Sequence, residues 1–252
     1  MNDTKRYFIE LAYKGSNYHG WQIQPNAVTV QEVLDKALST YFRQKVETLG
    51  CGRTDTGVHA TQFFAHFELT NHSSDLKGTV IQSINSLLPY DISASRFIET
   101  TADAHARFDA TLRSYEYHIH YSKNPFLHEL SWMLRDQLNI EEMNKAAAQL
   151  LNYTDFSCFS KSNTQVFTNN CRISRAEWVQ TDKGLIFHIS ADRFLRNMVR
   201  AIVGTMVDIG KGKLAPEEIH DIIQSKNRSN AGASVPACGL YLTTVKYPYI
   251  LY

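Results

Sequence analysis

The order of strand-like and helix-like patterns is the feature that most constrains the fold of this chain. Alternating apolar residues are typical of strands, and apolar residues three or four positions apart are typical of helices. In the first half these patterns predict a strand at residues 7–13, a helix opened by the capping box of Thr29 and Glu32, strands at 46–51 and 62–69, a helix at 76–88 and a strand at 92–98. This β-α-β-β-α-β order is that of a ferredoxin-like unit, whose antiparallel sheet carries both helices on one face.

The second half repeats this order with additions. The patterns predict a strand at residues 113–121, a helix from Asn139 to about Leu151, a loop at 156–170, strands at 173–180 and 185–191, a long helix ending at Gly210, a short helix starting at Pro216 and a strand at 238–247. We therefore predict an α+β fold of two ferredoxin-like units, residues 1–105 and 106–252. The units are expected to share a continuous, mostly antiparallel sheet with helices on one face and a central cleft.

The composition is that of a globular protein without a membrane segment. Of the 252 residues, 43% are hydrophobic and 20% are charged, and no apolar run approaches the roughly 18–20 residues of a membrane helix. The N-terminus lacks the apolar core of a secretory signal, so a cytoplasmic location is expected. The four cysteines form no C-x-x-C pair, which favours free thiols over a structural zinc site.

The segment 52–59 is the strongest candidate for a site. It separates two apolar, strand-like runs and places Asp55 between two threonines and two residues after Arg53. Chemistry usually lies on loops that rigid strands hold in place. A carboxylate near a guanidinium is favoured in its ionised form, and an ionised carboxylate can act as a nucleophile. The alternative is structural, because aspartate also stabilises turns through bonds to its own backbone.

Basic and aromatic residues form further candidate constellations. Strand alternation places Arg113, Tyr115 and Tyr117 on one face, shortly after Arg107 and Phe108. Such tyrosines either stack on an RNA base beside phosphate-binding cations or pack within the sheet.

A second basic pair, Arg196 and Arg200, flanks the apolar stripe of the predicted long helix. Three interpretations fit this pair: the arginines contact phosphate, they pair with a catalytic carboxylate, or they are the solvated flank of the helix.

Several other chemistries find no support in the sequence. No phosphate-binding loop, dinucleotide fingerprint or serine-hydrolase motif is present. His118 and His120 have strand spacing for a metal, but no third ligand is evident, so no metal is predicted. The absence of a second acid near Asp55 disfavours glycosidase chemistry and an aspartyl-phosphate enzyme that needs metal-binding acids.

Five blocks of the chain, in order, resemble the tRNA pseudouridine synthase A family. They are residues 13–24, 52–60, 106–110 with 113–117, 194–204 and 239–242. The resemblance implies isomerisation of uridine to pseudouridine in the tRNA anticodon stem-loop, at positions 38 to 40. It also implies that no cofactor or metal is needed, and that one tRNA contacts both subunits of a homodimer.

The resemblance also implies roles for individual residues. Asp55 matches the nucleophile, which attacks either C6 of the base or C1′ of the ribose. Arg53 matches an arginine that helps fill the space left by the flipped base. Tyr115 matches a tyrosine that packs on the uracil and is a candidate for removing the C5 proton. Arg200 matches an arginine that pairs with the nucleophile and keeps it ionised.

Further substrate contacts are expected within the matched blocks, at Arg107, Arg113, Arg196 and Leu240. Arg196 departs from the family, which often has tyrosine or histidine there, and residues 235–238 also depart from its pattern. The main alternative class is a non-catalytic RNA-binding module that holds RNA by stacking and phosphate contacts. An acid at the centre of the 52–59 segment argues against it, because a carboxylate repels phosphate.

Overall fold

The structure, a computed structural model, describes residues 4–70, 76, 78–161 and 167–252. It contains two compact units, Met1–Thr111 with Leu242–Tyr252 and Leu112–Tyr241. The division predicted after residue 105 stays a prediction.

The first unit has the predicted ferredoxin-like order. Its elements are β1 (Thr4–Tyr13), α1 (Val30–Phe42), β2 (Leu49–Gly50), β3 (His59–Thr70), α2 (Gly78–Leu87) and β4 (Ile92–Thr100). β1 lies between β4 and β3, antiparallel to both, and β2 pairs with the other side of β3. The sheet order β4-β1-β3-β2 is that of a ferredoxin-like unit.

The first helix forms where its capping box predicts. Thr29 has an extended backbone, and its side-chain oxygen accepts a hydrogen bond from the Glu32 amide at 3.3 Å. The apolar stripe of α1 buries Val30, Leu34 and Leu38. The helix ends where Arg43 adopts a left-handed conformation with φ of 53°. Local capping and periodicity therefore determine this element.

The second strand is much shorter than predicted. The sequence predicts a strand over residues 46–51, whereas β2 covers only Leu49–Gly50. The Val46 amide donates instead to Ser39 Oγ at 2.9 Å, and the Thr48 amide donates to Asp35 Oδ1 at 3.0 Å. Side chains of α1 thus take up the backbone donors that a longer strand would have offered to β3.

The second unit contains the remaining elements. They are β5 (Leu112–His120), β6 (Trp132–Met133), α3 (Ile140–Gln149), β7 (Ile173–Gln180), β8 (Gly184–Ala191), α4 (Met198–Gly210), α5 (Glu218–Ser225) and the start of β9 (Leu240–Lys246). β8 pairs antiparallel with both β5 and β7, and the two-residue β6 is parallel to β5. β6 was not predicted, because two residues show no periodicity.

The last strand returns the chain to the first unit. Residues from Leu242 onward belong to that unit. There the Val245 amide donates to Gln62 Oε1 at 2.9 Å, and the Lys246 carbonyl accepts from the Thr111 amide at 2.8 Å. The C-terminus therefore stabilises the unit that contains the N-terminus.

The α+β fold class with mostly antiparallel strands is confirmed. The shared sheet and central cleft stay predictions. Position 77 of the predicted helix 76–88 and positions 162–166 of the predicted loop lie outside the described residues. All four cysteines are free thiols. Among the described helices, none is long and apolar enough to cross a membrane.

Candidate active site

The Asp55 loop, residues 52–58, connects β2 to β3 and is held through its backbone. The Thr54 carbonyl accepts from the Trp21 amide at 3.2 Å, and the Gly57 amide donates to the Tyr18 carbonyl at 3.4 Å. Within the loop, the Asp55 carbonyl accepts from the Val58 amide at 3.1 Å. The half-buried Asp55 side chain therefore extends from a backbone that is fixed before and after it.

Two side-chain bonds add to these backbone contacts. The hydroxyls of Tyr13 and Thr54 lie 2.9 Å apart in a buried hydrogen bond. His59 is only 1% exposed, and its Nδ1 accepts from the Gly15 amide at 3.0 Å. His59, the last residue of the candidate segment 52–59 and the first of β3, thus joins the end of the Asp55 loop to the segment after β1.

That segment, residues 14–21, is called the Gly15 loop, and it approaches the Asp55 loop too closely for larger residues. A Cβ on Gly20 would lie 2.3 Å from the Thr54 carbonyl oxygen, and one on Gly15 would lie 2.0 Å from that of Val58. Gly20 also has φ of +86°, a conformation that side chains disfavour. The first and second blocks of the family resemblance therefore pack against each other.

Two of the predicted site arginines, Arg53 and Arg107, lie in the first unit of the structure, and both are exposed. The Arg107 guanidinium lies 5.6 Å from the centroid of the Phe108 ring, which is 74% exposed. The loop that contains Arg107 and Phe108 is fixed at Ala106. The Ala106 amide donates to His66 Nδ1 at 3.1 Å, and the Ala106 carbonyl accepts from the Tyr247 hydroxyl. A cation and an aromatic ring on a rigid loop are suited to a nucleic-acid contact.

The His66 contact predicts a loss of stability in acid. Burial is the main cause that lowers the pKa of His66 from 6.5 to about 4. The neighbouring His105 and Arg6 lower this pKa further, while the carboxylates of Glu68 and Asp109 raise it. Between these values the unfolded chain binds more protons than the folded protein, so stability falls as the pH drops from about 6.5 to about 4. The expected loss at pH 4 is up to about 3 kcal/mol.

Urea unfolding from pH 7 to pH 4 measures this effect. In His66→Gln, the amide oxygen keeps an acceptor for Ala106, and we expect a shallower pH dependence than in the unaltered protein. His128→Gln, at an exposed histidine of the second unit, serves as the control and should keep the original profile. An unchanged slope in His66→Gln contradicts the assignment.

In the second unit, the two tyrosines whose roles the strand pattern left open lie on β5 and differ in burial. Tyr115 is half-buried, and its ring meets Phe194 edge to face at 5.1 Å. Tyr117 is 0% exposed and donates its hydroxyl to the Pro236 carbonyl at 2.8 Å. Tyr117 is therefore a core residue, while Tyr115 retains an accessible portion for a ligand.

Three other predicted site residues have different degrees of burial. Arg113 is buried and donates to the Asp192 carbonyl at 3.0 Å. Leu240 is buried at the start of β9, after Gly239, where a Cβ would lie 2.7 Å from the Tyr117 ring. Arg196 is exposed. Only Arg196 of these three has the exposure that a phosphate contact needs.

Arg196 and Arg200 do not share a helix, contrary to the prediction. α4 begins at Met198, and Asn197 before it is left-handed with φ of 66°. Arg196 therefore lies outside the helix, and Arg200 lies in its first turn. The Arg200 Nε donates to the Val235 carbonyl at 2.8 Å, and the Val235 amide donates back to the Arg200 carbonyl at 3.3 Å. The bond from Nε orients the guanidinium.

No group of three or more His, Cys, Asp or Glu side chains could hold a metal ion within the part of the chain that the structure describes. His118, one of the two histidines considered for a metal, pairs with Glu116 at 2.9 Å.

The chain is similar to a known protein family and to several of its members. Residues 146–248 match the family described as tRNA pseudouridine synthase. The chain is 49% identical over 246 residues to tRNA pseudouridine synthase A of Bacteroides fragilis, covering 97% of each chain. It is 51% identical over 248 residues to that of Bacteroides thetaiotaomicron, covering 97% of this chain and 91% of the relative. It is 50% identical over 250 residues to that of Porphyromonas gingivalis, covering 98% and 99%.

These matches identify an enzyme of the isomerase class. The chain belongs to the tRNA pseudouridine synthase A family. The resemblance noted in the sequence is confirmed, and the enzyme is favoured over a non-catalytic RNA-binding module.

Proposed function

We propose that this enzyme converts uridine to pseudouridine in tRNA, in the anticodon stem-loop at positions 38 to 40, with Asp55 as the nucleophile. The names of its relatives support tRNA as the substrate. The observation that carries the proposal is the fixed backbone on both sides of the half-buried Asp55. A nucleophile held in this way needs little reorganisation before it attacks.

The reaction is an isomerisation with balanced atoms. The bond between ribose C1′ and uracil N1 breaks, the uracil turns, and C5 bonds to C1′ while its proton leaves. The N1 that is released takes up a proton. A carboxylate serves this sequence by adding either to C6 or to C1′, and both routes regenerate it at the end. A uridine stacked in a stem must first be flipped out of the helix.

The other residues have roles that agree with their surroundings. Arg53 is exposed two residues from Asp55, which suits insertion into the space of the flipped base. The Tyr115 ring, held edge-on by Phe194, suits packing on the uracil and removal of the C5 proton. Arg200, oriented by the Val235 carbonyl, suits pairing with the nucleophile.

The remaining predicted contacts divide by exposure. Arg107 and Arg196 are exposed and suit phosphate contacts. Arg113 and Leu240 are buried, so their proposed part is to shape the substrate site rather than to bind phosphate. We also propose a cytoplasmic homodimer in which one tRNA contacts both subunits, and which needs neither metal nor cofactor.

Release of tritium from tRNA labelled at uracil C5 tests this function. The purified protein should release one tritium for each target uridine, and transcripts with cytidine at positions 38 to 40 should release none. Tritium release that persists after these replacements contradicts the assigned positions. If the protein releases no tritium from any tRNA with uridine at positions 38 to 40, the proposed reaction is wrong.

A further inference from the structure

The residue before Asp55 is held through both its backbone and its side chain. Thr54 is buried, its carbonyl accepts from the Trp21 amide at 3.2 Å, and its hydroxyl pairs with that of Tyr13 at 2.9 Å. Tyr13 precedes Thr54 by 41 residues, so this bond joins two distant parts of the sequence.

We infer that the Tyr13–Thr54 hydroxyl pair positions the Asp55 carboxylate for attack. Tyr13 and Thr54 are positioning residues, and they act through the backbone of Asp55. This inference rests on the proposed role of Asp55 as the nucleophile.

Tyr13 is a firm anchor because the sheet and the core hold it. It is the last residue of β1 and pairs with Ala60 on β3. Its ring packs against Phe63 at 5.6 Å between centroids and against Trp21 at 6.4 Å. A hydroxyl on such a ring has a fixed location, so it fixes the Thr54 side chain that reaches it.

The side chain of Thr54 then restricts the peptide that leads into Asp55. With the Thr54 carbonyl bound to Trp21 and its hydroxyl bound to Tyr13, rotation about the Thr54 backbone breaks one bond or the other. Loss of either hydroxyl removes one of these two bonds, and the Thr54 backbone is then free to rotate and to move Asp55 with it. A displacement of about 1 Å at a reacting group reduces turnover by about 10²-fold.

The pair is tested by removing one oxygen at a time. In Tyr13→Phe and in Thr54→Val, we expect kcat for tritium release to fall at least about tenfold, with KM for tRNA changed less than about twofold. Thr54→Ser keeps the hydroxyl and should recover kcat to within about threefold of the original enzyme. A rise in KM at constant kcat, or no recovery in Thr54→Ser, overturns the inference.

The double variant tests whether the two hydroxyls act through one bond. If they do, Tyr13→Phe combined with Thr54→Val lowers kcat no further than the more damaging single change. Multiplication of the two single effects shows independent roles and overturns the inference.

Thr48→Val is the matched control for lost stability. Thr48 is also a buried threonine of the first unit, and its hydroxyl donates to Asp35 Oδ1 at 2.6 Å. It should lower the unfolding temperature to a similar extent as Thr54→Val while kcat stays within about twofold. An equal loss of kcat in Thr48→Val attributes the effect to general stability and overturns the inference.

Asp55→Asn, measured in parallel, separates the two proposals. If Asp55→Asn stays active, the assigned nucleophile is wrong and the positioning role falls with it. If Asp55→Asn is inactive and Thr54→Val turns over normally, only the positioning role is wrong.

Discussion

Replacement of Asp55 by asparagine should abolish tritium release from labelled tRNA, with turnover reduced on the order of 10³-fold or more. Asparagine has nearly the same shape, but its amide is a weak nucleophile and does not bear the negative charge that the reaction needs. The substitution leaves the backbone bonds of the loop in place, from Thr54 to Trp21, from Gly57 to Tyr18 and from residue 55 to Val58, so the loop is expected to stay folded. Binding of tRNA, measured by filter retention, should change less than about threefold.

Two further variants make the Asp55 experiment decisive. Asp55→Ala should be equally inactive and has no amide that could hydrolyse back to aspartate. Asp182→Asn, at an exposed position between β7 and β8, should keep full activity. Tritium release by Asp55→Ala at a rate near that of the original enzyme contradicts the nucleophile assignment.

Replacement of Arg200 by alanine should reduce turnover far more than it reduces tRNA binding. We expect kcat to fall about 10²-fold and the Kd for tRNA to rise less than about threefold. The proposed reason is electrostatic, because a positioned guanidinium stabilises negative charge that develops during the reaction. The Val235 carbonyl already orients Arg200 Nε, so this arginine needs little reorganisation to act.

Two substitutions distinguish this role from a phosphate contact. Arg200→Lys keeps the charge but lacks the Nε–H that binds Val235, so partial activity is expected. Arg196→Ala changes an exposed arginine outside α4, and it should weaken tRNA binding while kcat at saturating tRNA is unchanged. Equal losses of turnover and binding in Arg200→Ala indicate that Arg200 contacts phosphate instead.

The parts of the fold that depend on neighbouring residues were predictable. The helices after Thr29 and Asn139 begin as predicted, because each cap bonds to the amide three residues later. The start of α4 was not predictable from its apolar stripe, which begins at Leu195. The left-handed backbone of Asn197, whose side chain bonds to Ser234, delays the helix to Met198.

The candidate site divides in the same way. The sequence supplied Asp55, Tyr115 and Arg200 through the family resemblance, and their catalytic roles stay predictions. Strand alternation by itself left Tyr115 and Tyr117 equivalent on one face. Burial distinguishes them, because Tyr117 packs into the core of its unit while Tyr115 remains half-buried. Alternation along a strand predicts direction, but what covers a face depends on elements that are distant in sequence.

The sequence by itself determined the order of elements, the family, and the acidic loop, since each is expressed in consecutive residues. The tertiary structure alone decided how that loop is held. Pairing of β1 with β3 brings Tyr13 to Thr54 and Gly15 to His59. A hydroxyl pair or an imidazole acceptor leaves no periodic pattern in the chain, because its two partners lie about 40 residues apart and meet only when the sheet has formed.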